Sequence, residues 1–316
     1  MKSFSTEIAP FFHKKNYFVQ FLFLLLLIIG GTIILSAFGQ LMATLLSGEE
    51  VSDIYSSVNN IRIIQTFSSI GTFLLPALLF SYFAQKNIFS YSEADKSPTF
   101  SPVLIVLILS IFLQPIVYSL AYWNEMIELP AFLHNAEVWM KQMEDSSNSI
   151  LTLLADNSKI SILLLNILLL ALVPAVCEEF LFRGTLQPFI NKLVKNHHIA
   201  IWITAFIFSA IHLQFYGFIP RMLLGAYLGY LWVWSGSLWL PIIAHFLHNS
   251  SSLIFNYIDF KNNLNFDNLT PADIPGYIPI MITSFILISA GLFIMWKRRN
   301  KNNAVSQTET ALFEKK

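Results

Sequence analysis

The chain has 316 residues, 55% of them hydrophobic and 12% charged, with a net charge of zero. A soluble domain carries about 25% charged residues, so the composition excludes an ordinary soluble enzyme and predicts a polytopic membrane protein. The neutral balance offers no electrostatic footprint for a nucleic-acid partner, and a single cysteine, Cys177, excludes an intrachain disulfide framework.

Hydropathy over a window of about 20 residues predicts an all-α bundle of about eight transmembrane helices. They fall near 17–45, 61–84, 102–123, 160–188, 199–216, 219–234, 238–257 and 277–296. The first follows His13, Lys14 and Lys15 without a small-residue cleavage site and reads as an uncleaved signal anchor. Between the third and fourth spans, the outer segment 124–158 carries Phe132, Ala136, Trp139, Met140 and Met143 at helical spacing, opposite Glu137, Lys141 and Glu144. It reads as an amphipathic helix that either lies on the membrane or caps the bundle; its polar face lacks the basic residues that anionic headgroups favour. The last 20 residues read as a disordered polar tail.

With the N-terminus in the cytosol, one face receives Lys2, Lys14, Lys15, Lys86, Lys96, Lys192, Lys195, Lys297, Arg298, Arg299, Lys301, Lys315 and Lys316. The opposite face receives Arg62, Lys141, Lys159 and Lys261, with Arg221 near its edge. That bias places both termini in the cytosol. The expected organisation is an N-terminal transmembrane region, 1–158, a core of four spans, 159–257, and a last span with its tail, 258–316.

Against this apolar background, "LVPAVCEEFLFRGTL" sets Glu178, Glu179 and Arg183 inside the fourth span. Each charge costs about 2.5–3.5 kcal/mol near the centre of a helix in lipid, so something must compensate. Glu179 and Arg183 are four apart, share a helix face and can pair, which is the ordinary structural reading. Glu178 is rotated by about 100° and lacks that partner. The next span brings Phe208 and His212 in "AFIFSAIHLQ", and a later one brings His245, His248 and Asn249 in "LPIIAHFLHNSS". Taken singly, His212 and His248 read as packing residues, Asn249 as interhelical glue, and Gly225 with Gly229 as a close helix contact without further role. Taken together, a carboxylate, two imidazoles and an amide arrive in order over some 70 residues. A carboxylate and an imidazole sharing a water can make it nucleophilic, and an imidazole with an amide can donate to an oxyanion. The chain contains no HExxH, GxSG or GxGD pattern, which leaves a glutamate-activated water for amide hydrolysis.

"EEFLFRG", "FSAIH" and "HFLHN" together resemble the CPBP family, the CAAX prenyl endopeptidases and bacteriocin-processing (Abi) proteins, whose pattern is EExxxR, FxxxH and HxxxN. The resemblance covers roughly Ile160 to Phe255. It implies an intramembrane endopeptidase in which Glu178 activates water, His212 helps hold it, and His245 and Asn249 stabilise the oxyanion. Glu179, Arg183 and Phe208 would support the site. The family also implies a cavity open to the cytosol, with Glu178 about 15 Å from the cytosolic end of its span. No metal is expected; the alternative is one zinc on Glu178, His212 and His245. Expected partners are a peptide or membrane-protein substrate and the bilayer, in a bacterial plasma membrane. Two other functions use the same residues: a non-proteolytic membrane partner or bacteriocin-immunity protein, and a transporter with a proton relay.

Overall fold

The computed structural model describes residues 16–48, 53–85, 87–154, 159–262 and 269–313. Of the charge pattern, Lys2, Lys14, Lys15, Lys86, Lys315 and Lys316 lie outside them, as do His13 and residues 155–158 of the outer segment. Among the described residues every regular element is helical. Five helices are long and apolar enough to cross a membrane: Tyr17–Ser47, Val58–Ala84, Phe100–Glu125, Ile160–Val194 and Tyr277–Arg299. The chain is a polytopic helical membrane protein. The remaining expected spans fall on α10 (His197–Ala210), α11 (Phe218–Ser235) and α12 (Trp239–Asn262). The first of these is 14 residues, about 21 Å long, against a hydrocarbon core of about 30 Å.

Helix α1 (Tyr17–Ser47) begins where the Asn16 side chain accepts the Phe18 N–H at 2.8 Å and ends on Gly48 in the left-handed region. It crosses the next helix at Gly31 and Gly71, where a Cβ on Gly31 would stand 2.2 Å from the Gly71 carbonyl oxygen. Hydroxyl pairs Thr32–Thr72 at 2.9 Å and Ser36–Ser68 at 2.7 Å flank that crossing. Small residues thus let two backbones touch and polar ones join them, the usual solution where lipid gives no hydrophobic drive between helices.

Three π-turns interrupt the spans, and each has the same cause. Helix α2 (Val58–Ser69) passes through Ile70–Leu74 into α3 (Leu75–Gln85); α7 (Ile160–Asn166) passes through Ile167–Leu172 into α8 (Val173–Leu181); α8 passes through Phe182–Leu186 into α9 (Gln187–Val194). A proline stands two residues after each turn, at Pro76, Pro174 and Pro188. The residue before each proline donates its N–H five residues back: Leu75 to Ile70, Val173 to Leu168, Gln187 to Phe182. A proline ring crowds the carbonyl four residues earlier and removes one donor, and one widened turn absorbs both effects without ending the helix. The helix carrying Glu178 therefore runs on to Val194, sixteen residues past the glutamate. That is about 24 Å of helix where about 15 Å was expected, because Pro188 does not end the span.

Short α4 (Ile88–Tyr91) leads to α5 (Phe100–Glu125), which packs with α11, α12 and α13 (Tyr277–Phe313) around Leu109, Leu113, Leu224, Leu228 and Leu240. A second core joins Leu24, Phe80, Phe180, Phe182, Phe189 and Phe208. Helix α13 continues to Phe313, so residues 297–313 of the tail expected to be disordered are helical, and they hold neither glycine nor proline; 314–316 lie outside the described residues. The outer segment forms α6 (His134–Leu154), which packs on α2. Its inward face is not the expected one: Trp139 is exposed, while Glu137 and Glu144 turn inward beside Ala136, Met140 and Met143. Glu144 Oε1 accepts from Gln214 Nε2 at 3.5 Å, and at the far end of α6 the Leu154 carbonyl accepts from Arg62 and Asn166. These bonds make α6 a cap tied to the bundle.

Candidate active site

The middle helix, α8, lies between the two π-turns and presents both glutamates to α12. Glu179 is fully buried, and its Oε1 accepts two bonds: Arg183 Nη1 at 2.7 Å, and His245 Nδ1 at 2.8 Å. Arg183, also fully buried, uses Nη2 on the Gly225 carbonyl at 2.9 Å and lays its guanidinium 4.8 Å from the Phe208 ring centre. One turn on, Gln187 Nε2 donates to the Gly229 carbonyl at 3.3 Å. Gly225 and Gly229 were read as a packing contact only; their carbonyls also dock the α8–α9 helix. They do so because neither carries a Cβ: one on Gly225 would lie 3.1 Å from Ala205 Cα, and one on Gly229 would lie 2.9 Å from Ile201 Cγ2.

The expected Glu179–Arg183 pair is therefore present, with a third member that i,i+4 spacing could not reveal. His245 is 66 residues from Glu179, and only the packing of α12 on α8 brings them together. The bond fixes its tautomer. A carboxylate only accepts, so Nδ1 carries the proton and Nε2 turns the other way. That nitrogen stands 3.9 Å from Glu178 Oε2, too far for a hydrogen bond. Glu178 is 8% exposed, and its Oε2 has no partner among the described residues. The two adjacent glutamates are thus unlike: Glu179 holds two charge partners on Oε1 with its Oε2 bare, whereas Glu178 holds no hydrogen-bonded partner among the described residues.

His212 lies two residues beyond the end of α10, in a turn rather than in the span expected to hold it. Its Nδ1 stands 2.7 Å from the Phe208 carbonyl oxygen, which can only accept, so in the neutral ring Nε2 bears the lone pair. The turn is strained: Leu213, 55% exposed, adopts φ 55°, a conformation costing a non-glycine residue about 1–2 kcal/mol. Phe208 gathers the two imidazoles, with its ring centre 5.2 Å from that of His212 and 5.9 Å from that of His245, edge-on to both. His248 is not part of this group; its Nδ1 faces Gln114 Nε2 of α5 at 3.4 Å. Asn249 is half-buried one turn beyond His245, on the same face of α12. Among the described residues no three His, Cys, Asp or Glu side chains form a group able to hold a metal ion; Glu178, His212 and His245 do not make a closed ligand set.

Sequence reasoning passed over Arg221, in the first turn of α11. Its Nη2 donates to Gln214 Oε1 at 2.7 Å, and Gln214 meets Glu144 of the cap. Burial pushes the Glu144 carboxyl above the usual carboxylate range, opposed by the Tyr216 amide and the Arg221 charge. The signal was available: an arginine near a span end, seven residues after a glutamine in the turn that holds His212.

A buried carboxylate without partners, two oriented imidazoles and a neutralised Glu–Arg pair, all inside a multi-pass helical bundle, define a membrane protein with the groups of a hydrolase. Residues 160–251 match the family model for Rce1-like type II CAAX prenyl endopeptidases. These residues form a domain of the CAAX protease-like (CPBP) family. The uncharacterised protein YpbD of Bacillus subtilis (strain 168) is 35% identical over 86 residues, which are 26% of this chain and 41% of that protein. The chain thus aligns with less than half of this bacterial relative. No solved structure matches the chain.

Proposed function

We propose that the protein is an intramembrane endopeptidase that hydrolyses a peptide bond with a water activated by Glu178. The observation carrying this reading is the contrast within the glutamate pair. Glu179 carries Arg183 and His245 on its Oε1, whereas Glu178 has no charge partner in hydrogen-bond contact among the described residues, and its buried Oε2 stands 3.9 Å from His245 Nε2. An uncompensated carboxylate is expensive in a membrane interior and marks function by default.

In the proposed reaction, Glu178 takes a proton as the water oxygen bonds to the scissile carbonyl carbon. His212 Nε2, the acceptor left by the bond to Phe208, holds the same water. The carbonyl π electrons move to oxygen, and the oxyanion meets His245 Nε2 and the Asn249 amide. His245 donates from Nε2 only as the imidazolium, since Nδ1 is committed to Glu179. The Glu179 carboxylate supports that charge in a low-dielectric site. The intermediate collapses as the C–N bond breaks, and the proton on Glu178 passes to the leaving amine. No step needs a metal; the zinc alternative predicts that chelation abolishes cleavage and zinc restores it.

Residues 159–257 constitute the catalytic core in this reading, between an N-terminal region, 1–158, and a last span with its tail, 258–316. The eight helical stretches are eight crossings of a bacterial plasma membrane with both termini cytosolic, supported by the distribution of Lys and Arg. The substrate is a peptide or membrane-protein segment entering from the bilayer. The test compares peptide termini in membranes of cells expressing wild type or Glu178→Gln at equal levels, by mass spectrometry. Termini unique to wild type establish proteolysis and name the substrate. Identical catalogues, alongside a deletion phenotype that Glu178→Gln rescues, would replace the enzyme with a binding partner.

A further inference from the structure

Arg221 is a guanidinium on the α6-cap side of the site, with no ion-paired carboxylate among the described residues. It lies half-buried in the first turn of α11, where the helix dipole disfavours positive charge. Its charge acts on Glu178, His212 and His248, and two carboxylates, Glu178 and Glu144, act on it in turn. Neither approaches within ion-pair distance. Among the described residues its acceptors belong to Gln214: Oε1 at 2.7 Å from Nη2, and the carbonyl at 3.5 Å from Nη1.

The surroundings hold this cation in place without neutralising it. Gly217 provides the floor: a Cβ there would stand 2.9 Å from Nη2 and 3.4 Å from Cζ, so any other residue would push the guanidinium off this part of the backbone. Gln214 grips one edge and is itself met by Glu144 of the capping helix. The strained Leu213 separates His212 from Gln214, so one turn sets both the imidazole and the arginine. A structural arginine would be expected to close on Glu144, as Arg183 closes on Glu179. Here a neutral amide is interposed, and donors of the guanidinium fork remain open.

We propose that Arg221 binds a carboxylate of the substrate peptide, making it a specificity-determining residue of the site. The planar fork matches a carboxylate with two parallel N–H···O bonds, and because Arg221 is half-buried, a peptide lacking that group leaves the arginine unpaired, which is where polar sites discriminate most. The carboxylate can be the C-terminus of the peptide or an aspartate or glutamate side chain. The inference rests on the peptidase reading for its ligand class, but its test does not require cleavage.

The probe is a pool of short apolar peptides made in three forms: C-terminal acid, C-terminal amide, and amide with one internal glutamate. Immobilised full-length Glu178→Gln protein in nanodiscs is incubated with equal amounts, and retained peptides are quantified by mass spectrometry. The acid is expected to be retained about tenfold over the amide, about 1.4 kcal/mol; Arg221→Gln brings the ratio to about one, and Arg221→Lys, which keeps charge without the fork, lies between. If the glutamate-bearing amide matches the acid, the carboxylate is a side chain; if it behaves as the plain amide, it is the C-terminus. Equal retention of acid and amide, or a preference that survives Arg221→Gln in a protein that still melts cooperatively, overturns the proposal. Wild type run in parallel separates the two readings: carboxylate preference without cleavage keeps Arg221 as a carboxylate site and removes the peptidase.

Discussion

Replacing Glu178 and Glu179 separately by glutamine should give opposite outcomes from nearly identical changes. Glu179→Gln removes the charge that neutralises Arg183, which is fully buried and left with only the neutral Gly225 carbonyl at 2.9 Å. Breaking one side of a buried ion pair costs about 3–5 kcal/mol, a fall of roughly two to three and a half orders of magnitude in the folded-to-unfolded ratio. It also removes the anion that holds His245 Nδ1 at 2.8 Å, so activity should fall with stability. Glu178→Gln breaks no hydrogen bond to a described residue and takes a charge out of the interior; stability should hold or rise. Activity should drop by about 10²–10⁴, the usual worth of a general base. Thermal unfolding in detergent and cleavage of a membrane substrate, measured on both variants, check the pair. A stable, active Glu179→Gln, or a Glu178→Gln that melts like it, would refute this division of labour.

Two further substitutions test the frame around these residues. Gly225→Ala brings a Cβ to 3.1 Å from Ala205 Cα and 3.2 Å from Phe208 Cδ1; because the nearer atom is backbone, α10 and α11 must part, at about 1–3 kcal/mol, read as a lower melting temperature. Leu213→Gly relieves the left-handed strain by about 1–2 kcal/mol while gaining about 0.5–1 kcal/mol of unfolded-state freedom, so its melting temperature should be no lower than wild type, whereas Leu213→Ile should melt lower because a branched side chain tolerates that conformation worst.

Much of this site was legible because helical spacing is local. Glu179 and Arg183 pair as i,i+4 predicts, and the separation of Glu178 from that pair follows from the same geometry. The bond from Glu179 to His245 was not legible, since it depends on how α12 docks against α8, and no periodicity along the chain encodes that. The π-turns were not legible: Pro76, Pro174 and Pro188 each follow one, but Pro115 sits inside the uninterrupted helix α5, so a proline within an apolar run does not by itself encode a widened turn. The inward turn of Glu144 escaped for a different reason. An amphipathic pattern assigns glutamate to water, and here a partner from the His212 turn reversed that assignment.

The charges inside the fourth span can be accounted for in two steps. Arg183 and Glu179 cancel, and each makes one further hydrogen bond, to Gly225 and His245, so the pair enters the bundle as a neutral, docked unit. Glu178 is left over as a lone carboxylate whose nearest titratable neighbour is the free face of that same imidazole. His245 therefore lies between two carboxylates, bonded to Glu179 and 3.9 Å from Glu178. In the proposed reaction a water on Glu178 gives up its proton as an oxyanion forms beside His245, so negative charge moves from the carboxylate to the substrate and stays next to the same imidazole. On that reading the expensive residue is compensated only as the reaction proceeds, which accounts for the partner missing at rest.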